Sequence, residues 1–162
     1  MVFADTQHVA VGTNICFTTI NGEAFVSRTI PAGAYTKVAH GNGITLALGA
    51  SACAISYDSG SSWRPGIAPV ATAVSALTFF AGVFYVATTG GLFMTTDGLS
   101  WIRLPLADGA AVGALGAFKG LLLWGGASVY TAPLYGYNTA TQFLTPTWQR
   151  GPGVNSWIKA GD

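Results

Sequence analysis

The sequence predicts an all-β fold: a β-propeller of four four-stranded blades, closed by pairing of the C-terminal strand with the N-terminal blade. Three observations predict it. A turn followed by an aromatic residue returns with a period of about 38 residues. Each period holds four short apolar runs divided by Gly, Asn or Asp, which are strand and hairpin signals. No window carries a 3.6-residue apolar period, so almost no helix is expected. Four strands in about 40 residues is the size of a propeller blade.

The turns come first. Ser56-Tyr57-Asp58-Ser59-Gly60-Ser61-Ser62-Trp63 is repeated, one turn residue shorter, by Thr95-Thr96-Asp97-Gly98-Leu99-Ser100-Trp101. Thr19-Ile20-Asn21-Gly22-Glu23-Ala24-Phe25 is a weaker copy, with Asn for Asp and Phe for Trp. In a hairpin between the third and fourth strands, the carboxylate can accept backbone N–H bonds and the Gly supplies a positive φ. The aromatic opens the fourth strand and is expected to pack between blades. The repeat positions are Asn21, Gly22 and Phe25, then Asp58, Gly60 and Trp63, then Asp97, Gly98 and Trp101.

The strands follow in the same register. At one fixed distance upstream of Asn21, Asp58 and Asp97 stand Val11, Leu48 and Ala87, each in an apolar second strand. LLLWGGA from Leu121 supplies the fourth copy. First strands end in the turns of TKVAHGNG, SALTFFAG and VGALGAFKG. Third strands are ICFTT, ACAISY, GLFMTT and SVYTA, and fourth strands FVSRTI, WRPGIA, WIRLP and WQRGP. The single domain, 1–162, divides into blades at about 1–34, 35–73, 74–111 and 112–153. Met1-Val2-Phe3 cover only the end of a first strand, whereas Trp157 to Gly161 match Thr78 to Gly82 of a complete one. Segment 154–162 is therefore the expected closing strand, because pairing it with the N-terminal blade removes exposed edges. Closure within one chain and exchange of ends between two chains both satisfy this pattern.

SYDSGSSW and TTDGLSW resemble the Asp-box, or BNR, repeat, Ser/Thr-x-Asp-x-Gly-x-Thr-Trp, of sialidases and many non-enzymatic propellers. The resemblance implies a β-propeller whose Asp-boxes lie in turns away from any active site. The short, weakly charged, Gly/Ala/Thr-rich chain also resembles BNR-like propeller proteins of tailed bacteriophages.

Composition narrows the function. Charged residues make up 8% and apolar residues 51% of the 162, against about 25% charged in an average domain. A surface so poor in charge suits a protein covered by neighbours. The net charge is +1, with no basic cluster, so nucleic-acid binding is not expected. Neither a secretory signal nor membrane insertion is expected: the start lacks a basic-then-apolar pattern, and the greasy stretch Ala110 to Ala127 is broken by Gly and Lys119.

No catalytic set assembles. Arg28, Arg64, Arg103 and Arg150 each follow a repeat aromatic and so spread around the rim, where a sialidase-like triad would have to converge. Glu23 is the only Glu, leaving no carboxylate pair for glycoside hydrolysis. His8 and His40 read as rim histidines, since no other ligand stands at metal spacing. Cys16 and Cys53 occupy equivalent places in adjacent blades and read as buried free thiols. No catalytic residue, metal or cofactor is expected.

The one irregular segment runs from Ala132 to Pro146. It holds Tyr135, Tyr137, Asn138, Gln142 and Phe143, a candidate interaction loop, or else an extended hairpin packed on its own blade. The leading expectation is a non-enzymatic structural or interaction protein: a phage virion component, such as a capsid decoration, neck or tail accessory protein, docking on other virion or self subunits. The alternative is a glycan-binding lectin or host-receptor-binding module.

Overall fold

The computed structural model describes residues 1–70, 72–104, 112–118, 121–126 and 135–138. Among them are fifteen β-strands and no helix. The first sheet comprises β1 (Val2–Ala4), β2 (Gln7–Gly12), β3 (Ile15–Thr19) and β4 (Val26–Arg28). The second comprises β5 (Lys37–Gly41), β6 (Ile44–Leu48), β7 (Cys53–Ser56) and β8 (Arg64–Pro65). The third comprises β9 (Val74–Phe80), β10 (Val83–Thr88), β11 (Gly91–Thr95) and β12 (Ile102–Arg103). The fourth shows β13 (Val112–Phe118), β14 (Leu121–Gly126) and β15 (Tyr135–Asn138). Every sheet is an antiparallel meander in sequence order. Asn42 and Gly43, both at positive φ (51° and 70°), make the β5–β6 turn, as expected of an Asn-Gly hairpin.

The sheets stack in chain order, with their first strands in contact from β1 to β5, β5 to β9 and β9 to β13. Directly paired residues share a sheet face, so each sheet has a face toward the next sheet and a face toward the one before. In the first sheet the rows Val2–Val9–Thr18 and Val11–Cys16 point toward the second sheet. Ala4, Val9 and Cys16 are buried there against Ala47 and Ala54. Leu46, Leu48 and Ile55 of the second sheet pack on Phe84, Val86 and Phe93 of the third. Tyr85 and Leu92 pack on Val112 and Trp124 of the fourth. Burying each large apolar side chain in these seams contributes about 1.5–3 kcal/mol, so the seams hold the stack together.

Two expectations need correction. SVYTA, expected as the third strand of the fourth sheet, lies outside the described residues. β15, Tyr135–Asn138, pairs with β14 as the third strand, with Leu121 opposite Asn138 and Trp124 opposite Tyr135. The unmet N–H and C=O groups along β14 require a partner strand, and Tyr-Gly-Tyr-Asn brings strand-favouring tyrosines to it. Tyr135, Tyr137 and Asn138 of the candidate interaction segment therefore lie on a strand. The fourth strands are also shorter than the sequence suggests, because β8 and β12 are outermost and exposed. Gln142, Phe143, Trp148, Arg150 and the closing strand 154–162 lie outside the described residues.

Candidate functional site

The repeat turns share one hydrogen-bond pattern. Thr19, Ser56 and Thr95 end the third strands and are buried. Their hydroxyls accept the backbone N–H of Gly22 (2.9 Å), Gly60 (2.8 Å) and Gly98 (2.9 Å). The same hydroxyls donate to Asn21 Oδ1 (3.5 Å), Asp58 Oδ1 (2.8 Å) and Asp97 Oδ1 (3.0 Å). Asn21 Oδ1 then accepts from the N–H groups of Glu23 and Ala24. Asp58 accepts from the Ser62 N–H (2.8 Å) and hydroxyl (2.5 Å). Asp97 accepts from the N–H groups of Leu99 (2.8 Å) and Ser100 (3.1 Å). The three glycines take φ of 79°, 90° and 74°, a region only Gly enters without penalty. Partial burial pushes the Asp58 carboxyl up, but bonds from Ser62, Ser56 and Ser61 outweigh it and hold the group below the usual carboxylate range. Backbone bonds from Leu99 and Ser100 lower Asp97 likewise. Thr19, Ser56 and Thr95 are the residues that sequence reasoning underweighted; their constant place before each Asx was the available signal.

These turns also dock on the preceding sheet. Trp63 packs against the seam of the first two sheets, beside Cys16, and donates its indole N–H to Gly60 O (3.0 Å). Trp101 packs on the second and third sheets and donates to Ile67 O (2.6 Å). A Cβ on Gly60 would lie 2.7 Å from Val9 Cγ2, and one on Gly98 would lie 2.6 Å from Leu46 Cδ1. The first turn differs. Phe25 is 54% exposed, and no described atom lies within 4 Å of a Cβ built on Gly22. Phe25 thus departs from the expected packing between sheets, for no described sheet precedes the first.

The remaining candidates do not converge. Arg28, Arg64 and Arg103 lie on β4, β8 and β12, the outer strands of three separate sheets. Arg28 bonds Thr18 Oγ1 (3.0 Å), and Arg64 stacks over the Tyr57 ring (3.9 Å to the centroid). Glu23 accepts from the Asn21 amide within its own turn. Cys16 and Cys53 are free and buried. Burial pushes the Cys53 thiol up to about 12 and raises that of Cys16 as well. His40, beside the β5–β6 turn, reaches between the first two sheets, with Nε2 3.0 Å from Oδ1 of exposed Asp5 in the β1–β2 turn and Nδ1 2.9 Å from Thr45 Oγ1. His8 stacks on Phe3 with centroids 5.0 Å apart. Gln7 crosses the same seam to Ser59 O (2.9 Å) and Ser61 Oγ (3.1 Å). Among the described residues no three His, Cys, Asp or Glu gather where a metal ion could be held. Among the described residues no helix is long and apolar enough to cross a membrane.

What stands out is apolar surface on the first sheet. Its face away from the second sheet carries the rows Phe3–His8–Thr19 and Ala10–Phe17–Ser27, then Gly12–Ile15. Phe3 is 55% and Ile15 40% exposed, and Phe17 is half-buried. Of the ten exposed large apolar residues among those described, six (Met1, Phe3, Ile15, Ile20, Phe25 and Val26) belong to this one sheet and its turns. Sheets two and three keep the equivalent rows buried: Thr45 and Ser56 with Ala47 and Ala54, then Phe84 and Thr95 with Val86 and Phe93.

No protein-family model matches the chain, and no curated protein matches it. Solved structures do. YCF48 from Cyanidioschyzon merolae superposes with a TM-score of 0.66 at 14% identity, over 95% of this chain and 56% of that one. YCF48 bound to D1 peptide gives 0.62 at 16%, over 85% and 50%. The computationally designed Ika8 protein gives 0.56 at 14%, over 84% and 46%. The chain spans about half the length of these structures. At such identities the likeness shows the fold alone, and that fold is β-propeller-like.

Proposed function

We propose that this chain is a non-enzymatic structural and interaction protein that docks on other protein subunits through the apolar surface of its first sheet. The carrying observation is the concentration of exposed Phe3, Ile15 and Phe25, with half-buried Phe17, on one sheet of a chain with 8% charged residues. Contiguous apolar surface of this kind marks an interface. The side chains of the repeat turns support the reading from the other direction. Asn21, Asp58 and Asp97 spend their oxygens on backbone N–H groups and hydroxyls inside their own turns. We read these turns as Asp-box turns whose work is to build the fold. That a fold of this kind can hold a peptide is supported by YCF48, solved bound to D1 peptide. The setting we propose is a tailed-phage virion, with the chain as a decoration, neck or tail accessory subunit.

The test is to purify the chain, measure its mass in solution, and screen it against candidate virion subunits and a glycan array. The expected result is a stable protein complex that weakens little as salt rises, because few charges are available to be screened. A monomer that ignores proteins and binds a sugar would replace this reading with a lectin.

A further inference from the structure

We infer that the partner of the first sheet's open face is a second copy of this chain, and that two copies close one ring of eight sheets. The inference rests on reading that face as a docking surface, and names its occupant.

Each interior seam follows one rule. A sheet presents its forward rows, such as Leu46 and Ile55, to the next sheet's backward rows, such as Val86 and Phe93. The next sheet's turn glycine and aromatic then reach back onto it, as Gly98 does over Leu46 and Trp101 to Ile67 O. At the first sheet the receiving elements are present, and no described sheet covers them. Phe17 holds the place of Phe93, two residues before the strand-ending Thr in each sheet; Phe93 is 6% exposed, whereas Phe17 is half-buried. Phe25 holds the place of Trp63 and Trp101, and Gly22 that of Gly60 and Gly98, yet Phe25 is exposed and Gly22 meets nothing. This surface has the form of a seam lacking its preceding sheet.

The fourth sheet supplies the complement. Leu115 and Trp124 face the third sheet. The alternate row, through Gly116, faces away, and no described atom lies within 4 Å of a Cβ built there. At the equivalent row of the second sheet, Ala39 is 5% exposed beneath the third. The two open faces are thus the forward and backward halves of one seam. Among the described residues the two faces do not meet: inner-strand contact runs from β1 through β5 and β9 to β13, and no comparable contact returns from β13 to β1. The chain matches about half the length of larger propeller-like chains. A two-fold axis would bring the fourth sheet of each copy onto the first sheet of the other, making two identical seams and leaving no face open.

The test uses the 162-residue chain. Light scattering or sedimentation should give twice the chain mass, and Phe17→Lys should return it to one chain mass with its β circular dichroism retained. A paired-cysteine variant separates the sources of the seam. A Cβ on Gly41 would run into the Phe79 ring across the seam between the second and third sheets. Phe118 (opposite Leu121) and Phe3 (opposite His8) hold the corresponding places. Phe3→Cys with Phe118→Cys should oxidise to a cross-linked species of two chains. A disulfide formed within one chain would overturn the inference in favour of a four-sheet ring. A wild-type monomer that captures another protein, and loses it on Phe17→Lys, would overturn the inference while leaving the docking reading intact. A dimer that Phe17→Lys breaks and that also binds a sugar would leave the inference intact and replace the structural role with that of a lectin.

Discussion

Ser56→Ala should destabilise the fold more than Asp58→Ala, although Asp58 is the conspicuous residue of the turn. The Ser56 hydroxyl is buried at 1% exposure and makes three bonds. It donates to Asp58 Oδ1 and accepts the N–H groups of Asp58 (3.3 Å) and Gly60 (2.8 Å). Gly60 is itself buried, so Ala at 56 strands its N–H away from water. An orphaned buried donor costs about 1–3 kcal/mol, roughly a five- to 150-fold shift in the folding constant. Asp58 is exposed, and its bonds to Ser62 lie at the surface. Water can replace them, so Asp58→Ala should cost only about 1 kcal/mol. Urea denaturation with unchanged m-values reads both numbers. Thr19→Ala and Thr95→Ala repeat the experiment at the equivalent hydroxyls. A neutral Ser56→Ala beside an Asp58→Ala that costs more than 2 kcal/mol would show that the carboxylate, not the hydroxyl, organises the turn.

Three further outcomes follow from the same geometry. Trp63→Ala and Trp101→Ala should each cost about 2 kcal/mol, below the 3–5 of a fully buried Trp, because both rings are half-buried; Phe25→Ala should change chain stability by under about 0.5 kcal/mol and act on assembly, which a concentration series of melting curves separates. The lowered Asp58 and Asp97 groups bind protons less readily folded than unfolded. Their stabilisation is therefore complete above the unfolded carboxylate value of about 3.9 and is lost as pH falls through the folded values. Thermal melts between pH 6 and 2 should show this loss and its flattening in Asp58→Asn plus Asp97→Asn, whereas Asn21 contributes none of it. Cys16 and Cys53 should resist a thiol reagent at pH 8 in the native protein and both react in denaturant, given their burial and the Cys53 value of about 12; rapid native labelling would mean that a seam opens.

The repeat was legible because the same physical problem recurs in each sheet. A third strand must turn into a fourth, so a hydroxyl, an Asx and a Gly return at fixed spacing, and periodicity alone exposes Asn21, Asp58 and Asp97. The third strand of the fourth sheet was not legible. Ser128 to Ala132 and Tyr135 to Asn138 both carry strand-favouring residues, and pairing with β14, a tertiary fact, decides between them. The partner of His40 was not legible for a related reason. Asp5 lies in the β1–β2 turn of another sheet, and no local pattern signals a contact across a seam.

Where the repeat holds, each residue type is explained by the fold; where it breaks, another demand is at work. The backward face of the second sheet carries Ala47 and Ala54, small enough for the first sheet to close over them completely. The first sheet places Ala10 and Phe17 at the same two positions. A chain that left this face to water would gain nothing from a phenylalanine there, since an exposed ring adds no burial energy and adds aggregation risk. The third sheet also carries a phenylalanine at that position, Phe93, and buries it under the second sheet. The chemistry at Phe17 is thus that of a covered position in a protein whose described residues cover it only in part. Its substitution by Lys is the most direct way to learn what does.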